Sequence, residues 1–425
     1  MKFALAFYGT RGDVEPGVAV GRELLRRGHD VRLAVPPELV GFAESAGVAA
    51  VAYGPDARMW QNLHRDFLTC LFRTPWRRHD LRRLWREDRR LLAQCWDETS
   101  ATLRSLAAGA DLVFTSVIGE ESAANVAEYY GIPLATLHAF PLRPNGQLAA
   151  IPAPLARSAM RLSERLGRSL TKKLEDAQRR ELGLPKASGL PSRRISERGV
   201  LEIQAYDEAC FPGLADEWAR FDGRRPFVGT LTLEMTTDAD DDVASWIAAG
   251  TPPIFFGFGS TPAKSPAETI AMIGAACEQL GERALVCAGG TDFSEVPDAG
   301  HVKVVGEMNY AAAFPACRAV VHHGGTGTTA AGLRAGVPTL ILSTWGDQTI
   351  WGAVVKRLKV GTTRRFSSTT QDSLVADLRR ILDPAYVARA REIATRMTKA
   401  DHSVAATADL VENFAARKVK GRNPQ

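Results

Sequence analysis

Two histidines, three glycines and three threonines stand side by side at His322-His323-Gly324-Gly325-Thr326-Gly327-Thr328-Thr329. An apolar run, Ala319-Val320-Val321, leads into them, and Ala330-Ala331-Gly332-Leu333-Arg334-Ala335 follows with helical composition. Strand, tight glycine-rich turn and helix in that order aim backbone N–H groups and a positive helix end at one spot, which suits a phosphate. Glycine lets an anion approach the backbone, Thr328 and Thr329 offer hydroxyl donors, and a histidine offers a ring N–H. The next strand is expected at Pro338–Leu342, with Asp347 and Gln348 beyond its end. Ligands of open α/β sheets sit there, so this carboxylate and amide could hold hydroxyls of whatever the phosphate carries.

The elements that must position these groups alternate strand and helix through the chain. Residues 3–8 form a buried-type strand, Gly9-Thr10-Arg11-Gly12-Asp13 a loop, 14–28 a helix and 29–35 a second strand. Further strands are expected at 48–52, 111–115 and 133–138, with a helix at 120–130. The second half repeats the pattern at 254–258, 268–280, 284–288 and 302–305, and residues 385–416 read as helical. The class is α/β, with two doubly wound halves, each carrying a glycine loop after a strand. Pro212-Gly213, Gly223, Pro226 and Gly229 punctuate a join near 210–235, and Arg417 to Gln425 is a basic tail.

At 425 residues the chain has room for two or three domains with real cores. A net charge of +5 is compatible with acidic substrates and does not argue for nucleic acid. The six cysteines include no C-x-x-C pair, which points to reduced thiols, no structural zinc and a cytoplasmic protein. No stretch has the length of a transmembrane helix. From Arg65 to Arg90 there are nine arginines and four acids, with Leu81, Leu84, Trp85, Leu91 and Leu92 at helical spacing. This is either a surface helix packed on its own domain or a basic amphipathic helix resting on an anionic membrane, the first being the more ordinary case.

Gly325-Thr326-Gly327-Thr328-Thr329-Ala330 also fits the G-x-G-x-x-G/A dinucleotide pattern, with Asp347 about 20 residues on, so an NAD-dependent oxidoreductase is the alternative enzyme. The two histidines, the place of the motif late in the second half and the Asp347-Gln348 pair weigh against it.

His322-His323-Gly324-Gly325-Thr326-Gly327-Thr328-Thr329 with Gly346-Asp347-Gln348 resembles the donor-site signature of family 1 glycosyltransferases of the GT-B fold. Gly9-Thr10-Arg11-Gly12-Asp13-Val14-Glu15-Pro16 resembles the N-terminal loop of their sterol and antibiotic branch, and Gly257-Phe258-Gly259-Ser260 their loop after the first donor-domain strand. More narrowly, Glu181–Pro185, Leu201–Tyr206 and Phe366-Ser367-Ser368 resemble the mycobacterial enzymes that glycosylate glycopeptidolipids.

The resemblance implies two Rossmann-like domains facing across a cleft: residues 1–215 for the acceptor, 216–400 for a nucleotide-diphosphate sugar, and 401–425 as a helix returning to the first domain plus the tail. It implies an inverting hexosyltransferase that needs no metal or cofactor, with a dTDP- or UDP-sugar donor and a lipid, lipopeptide or other hydrophobic hydroxyl acceptor. Asp13 would be the general base; its competing role is to cap the helix that follows. His323, Gly325, Gly327, Thr328 and Ser260 would hold the diphosphate, and Asp347 and Gln348 the sugar, unless these two are only a helix cap and a surface amide. His322 reads better as a buried strand end. His138, before Phe140-Pro141, would line the acceptor cleft, and Arg11 would touch it or brace its loop. A non-catalytic sugar-nucleotide-binding partner of another transferase is the third reading, and Asp13 beside an intact donor motif argues against it.

Overall fold

The computed structural model describes residues 1–74, 76–148, 151–221, 223–259, 266–289, 300–344 and 346–420, without the side chains of 61, 64, 65, 68, 72, 73 and 418–420. Ser260, one of the expected diphosphate ligands, lies outside the described residues, as do 421–425 of the basic tail. The chain forms two compact units. Unit 1 comprises Met1–Ala205, Gly213–Leu233 and Asp401–Gln425; unit 2 comprises Tyr206–Pro212 and Glu234–Ala400. Residues 216–233 thus cluster with the first sheet. An isolated bridge between Gln204 and Phe227 ties them to its last strand, which the turn residues near 212 do not reveal.

Unit 1 is built on β1 (Lys2–Ala6), β2 (Asp30–Val35), β3 (Ala50–Ala52), β4 (Leu112–Ser116), β5 (Leu134–His138) and β6 (Leu201–Gln204). The order is β3-β2-β1-β4-β5-β6 and every pairing is parallel, with Phe3 opposite Val31 on one side and Leu112 on the other. Helices cover both faces of such a sheet, so its strands read as unbroken apolar runs, and Phe3, Ala4, Leu5 and Ala6 are all 0% exposed. Unit 2 repeats the design with β7 (Ile254–Gly257), β8 (Ala284–Cys287), β9 (Val302–Val305), β10 (Ala319–His322), β11 (Thr339–Ser343) and β12 (Gly361–Arg365). Their order is β12-β11-β10-β7-β8-β9, again all parallel.

In each sheet the winding reverses beside its first strand: between β1 and β4, and between β7 and β10. At such a switch the connections leave to opposite sides and open a crevice at the carboxyl ends of the strands. Each glycine-rich loop singled out in the sequence leaves one of these strands.

The first helix runs Arg11–Arg26, three residues earlier than Val14. Asp13, a preferred N-cap type, suggested a start at Val14. Thr10 opens the helix instead, and Asp13 reaches back to it. The helix expected from Ala330 begins at Thr326, inside the glycine turn. A helix at Ala153–Glu181 was not anticipated. The Ala400–Lys420 helix extends into the stretch read as a basic tail, through residue 420.

Candidate functional site

In unit 2, His322 ends β10 and is 0% exposed. Its Nδ1 accepts a hydrogen bond from the Gly324 N–H at 3.0 Å, which shapes the turn. Burial and the neighbouring His323 push its pKa well below the usual histidine value, so the ring is a neutral brace.

His323 is placed differently. Its ring lies between Gly259, two residues past β7, and Gly325, the N-cap of the Thr326–Ala335 helix. A Cβ on Gly259 would come within 2.6 Å of His323 Cε1, and one on Gly325 within 2.7 Å of Nε2. Gly259 also has φ +58°, a conformation side chains other than glycine disfavour. The ring therefore fits because both neighbours lack side chains, and Nε2 is the atom turned toward the helix N-terminus. Burial lowers its pKa to about 4, with the Gly257 carbonyl pulling the other way, so it is neutral near pH 7. It can give an anion an N–H, in addition to the helix amides.

Gly327 and Thr328 sit in the first turn of that helix, Thr328 part-exposed. Thr329 is buried and its hydroxyl donates to the Gly325 carbonyl at 2.8 Å. Its expected role as a second donor to the ligand is therefore corrected: the helix uses that hydrogen itself. Trp351, absent from the sequence reading, donates its indole N–H to Thr326 Oγ1 at 2.8 Å and is 1% exposed. It pins the phosphate-type turn to the Gln348–Arg357 helix.

Asp347 is the exposed N-cap residue of that second helix and makes no side-chain cap bond. Burial on its inner side pushes its carboxyl up, while the amides of Asp347 and Gln348 pull it down. Gln348 is 7% exposed, so it is no surface amide. Its Oε1 accepts from Thr344 N at 2.8 Å and Thr344 Oγ1 at 2.7 Å, and its carbonyl oxygen would lie 3.0 Å from a Cβ on Gly324. The structure thus gathers His323, Gly325, Gly327, Thr328, Asp347 and Gln348 around the carboxyl ends of β10 and β11.

In unit 1, Asp13 is the third residue of its helix. Its Oδ2 accepts from Thr10 N–H at 2.8 Å and Thr10 Oγ1–H at 2.9 Å. The carboxylate is thereby held on the loop after β1, at the β1/β4 switch. Gly9 has φ +128°, and a Cβ there would fall 2.4 Å from Asp13 Oδ2. Arg11 stacks on Phe42 and pairs with Glu15 at 3.6 Å, bracing the loop. Ser116, at the end of neighbouring β4, buries its hydroxyl without a hydrogen-bond partner among the described residues. No motif in the sequence marked it.

His138 does not line an open surface. It is 0% exposed, with Nε2 3.3 Å from both Glu120 Oε1 and Thr136 Oγ1. Charge pairing draws it inward: Arg143 bonds Glu120 at 2.5 Å and Glu202 at 3.0 Å, and Arg225 bonds Glu202 at 2.9 Å. Burial pushes the Glu120 carboxyl up, but Arg143 and His138 outweigh it and hold it at about 2. This buried cluster anchors the loop after β5.

Next to it, burial and then the Glu175 carboxylate raise Glu121 to about 7. The folded value lies above the unfolded one, so this group's contribution is lost as pH rises from about 4.5 through 7. Glu121→Gln is expected to be more stable than the wild type at pH 8, by at most about 3 kcal/mol, and equal to it near pH 4.5. Thermal melts at the two pH values check this.

Residues 3–109 match the glycosyltransferase family 28 N-terminal domain, and residues 283–412 match the C-terminal domain of erythromycin biosynthesis protein CIII-like proteins. An uncharacterized glycosyltransferase of Mycobacterium tuberculosis is 60% identical over 98% of this chain and 100% of its own. A sterol 3-beta-glucosyltransferase of Arabidopsis thaliana is 28% identical over 96% of this chain and 67% of its own. Among solved structures, the glycosyltransferase of kitacinnamycin aligns with a TM-score of 0.70 at 17% identity, over 97% of this chain and 99% of that one. The calicheamicin glycosyltransferase CalG4 aligns at 0.67 with 20% identity, over 98% of each. The chain belongs to the family 1 glycosyltransferases of the GT-B fold.

Proposed function

We propose that the protein is an inverting hexosyltransferase that moves a hexose or deoxyhexose from a nucleotide-diphosphate sugar to a hydroxyl of a hydrophobic acceptor. The observation that carries this reading is the seat of His323 between Gly259 and Gly325, with Nε2 turned to a helix N-terminus at the β7/β10 switch.

The chemistry follows from those groups. The acceptor hydroxyl attacks the anomeric carbon as the bond from that carbon to the diphosphate oxygen breaks. Asp13 takes the hydroxyl proton, since an alcohol is a poor nucleophile without a base. Negative charge grows on the leaving diphosphate, and fixed donors there favour the transition state over the ground state. His323, the Gly325 and Gly327 amides and Thr328 are those donors, joined by Ser260. No metal is needed in this scheme. Asp347 and Gln348 hold sugar hydroxyls. Attack from the face opposite the leaving group inverts the anomeric centre.

The donor is a dTDP- or UDP-sugar; a solved glycosyltransferase of the same fold, VinC, was crystallised with dTDP. A lipid or lipopeptide acceptor, of the glycopeptidolipid kind, suits the likeness to sterol glucosyltransferases. Thermal shift with dTDP, UDP and NAD tests the reading. One of the first two should raise the melting temperature, by the equivalent of about 2.7 kcal/mol at a hundredfold excess over Kd. Stabilisation by NAD alone would refute it.

A further inference from the structure

The helices Arg78–Ala107 and Ala153–Glu181 have 30 and 29 residues, about 45 Å each at 1.5 Å per residue. The strands they accompany have five, about 17 Å. Each helix runs back from the carboxyl edge of the sheet, so its N-terminal half overhangs that edge, where the Asp13 loop lies. Core burial follows this geometry. In the Ala153–Glu181 helix, Glu175, Gln178 and Arg179 are buried near the C-terminal end and Ala156 alone in the other half.

The overhanging half is amphipathic in the wrong sense for a lone soluble protein. Leu155, Leu162 and Leu166 share one face at helical spacing and are 61%, 56% and 63% exposed. Residues 153–167 hold three basic residues, Arg157, Arg161 and Arg165, the first paired with Glu217, and one acid, Glu164. That acid is turned inward, accepting the Ser192 N–H. Arg161 and Arg165 flank the leucines and are exposed. The other overhang lies alongside, because Arg89 donates to the Leu170 carbonyl at 2.6 Å. On the face shared with Arg89 by helical spacing it carries exposed Arg82, Trp85 and Arg86.

We propose that this platform docks unit 1 on an anionic lipid bilayer, with the leucines and Trp85 entering the headgroup boundary and the arginines meeting lipid phosphates. Apolar stripe, interfacial tryptophan and basic flank are the features by which a helix lies in that plane. A second copy of the chain fits less well, since a symmetric contact would set two arginine-rich faces against each other. The surface matters because it borders the carboxyl edge of the sheet, so a lipid-borne hydroxyl would arrive beside Asp13. The docking itself does not depend on the glycosyl-transfer reading.

Flotation of the full chain with phosphatidylcholine vesicles, and with vesicles also containing phosphatidylglycerol, is the test. The wild type should float with the anionic vesicles only, and less at about 0.5 M salt. The triple variant Leu155→Ser, Leu162→Ser, Leu166→Ser should lose at least about tenfold in partition, as should Arg82→Gln, Arg86→Gln, Arg161→Gln, Arg165→Gln. Both should keep the wild-type melting temperature and nucleotide-induced shift, which separates failure of docking from failure of the donor site. A wild type that stays in solution, or a leucine variant that floats as well as it does, overturns the proposal. So does a wild-type dimer that the leucine variant converts to monomer.

Discussion

Asp13→Asn is expected to fold, to keep its donor-induced thermal shift, and to transfer sugar about 10²–10⁴-fold more slowly. Asparagine presents an oxygen where Asp13 Oδ2 accepts from Thr10 N and Oγ1, so the start of the Arg11–Arg26 helix survives. It cannot take up the acceptor proton. Asp13→Ala removes the cap as well and should add about 1 kcal/mol of destabilisation. The two variants therefore separate capping from catalysis: a structural carboxylate predicts that only alanine does harm. Gly9→Ala is a sharper control because it removes no reacting group and only displaces one. With φ +128° and 2.4 Å from the new Cβ to Asp13 Oδ2, the carboxylate must move, and activity should fall with it. Single-turnover transfer rates with saturating donor decide the matter, and an Asp13→Asn enzyme of wild-type rate would end Asp13's assignment as base.

Much of this arrangement was legible in the residues because the signals were local. The strand–turn–helix around His322–Thr329 announced itself through composition, and the apolar runs gave most strands. The Thr10–Asp13 bond was also legible: Thr and Asp three apart before an apolar run is the capping-box pattern, but Asp13 is itself a preferred N-cap type and drew the reading to a start at Val14. Helical spacing of Leu155, Leu162 and Leu166 was equally visible. Such spacing normally signals a buried face, and here the face is open.

What the sequence did not show depends on contacts made once the chain is folded, some between distant segments and some between residues four apart. His138 looked accessible at the end of a strand, yet Glu120, Arg143, Glu202 and Arg225 enclose it in paired charge. Thr329 looked like a ligand donor until its bond to the Gly325 carbonyl was seen. Gln348, expected to hold a sugar hydroxyl with a surface amide as its competing role, is buried against Thr344. Trp351 could be recognised as a pin only once β10 and β11 brought two helices side by side. For His138 and Trp351 long-range packing chose which atoms stayed available, and for Thr329 and Gln348 a partner four residues away did.

The second large effect belongs to His323. His323→Ala should reduce transfer by about 10²–10³, the range seen when one preorganised donor to a developing anion is removed. Its ring is held neutral, near a pKa of 4, so the loss is of a hydrogen bond rather than a charge. The defect should accordingly be constant from about pH 6 to 9. The folded value lies below the ordinary one of 6.5, so the stability linked to this ring falls as pH drops from 6.5 toward 4, and His323→Ala should melt less acid-sensitively than the wild type. Gly259→Ala tests the seat of the ring. Its Cβ would press within 2.6 Å of His323 Cε1 and 3.2 Å of both ring nitrogens, on a backbone already at φ +58°. It should reproduce the His323→Ala defect in transfer and in nucleotide-induced shift, although it removes no polar atom. If Gly259→Ala binds nucleotide and transfers sugar as the wild type does while His323→Ala fails, the histidine acts from another position. If both variants behave as wild type, the diphosphate is held without it.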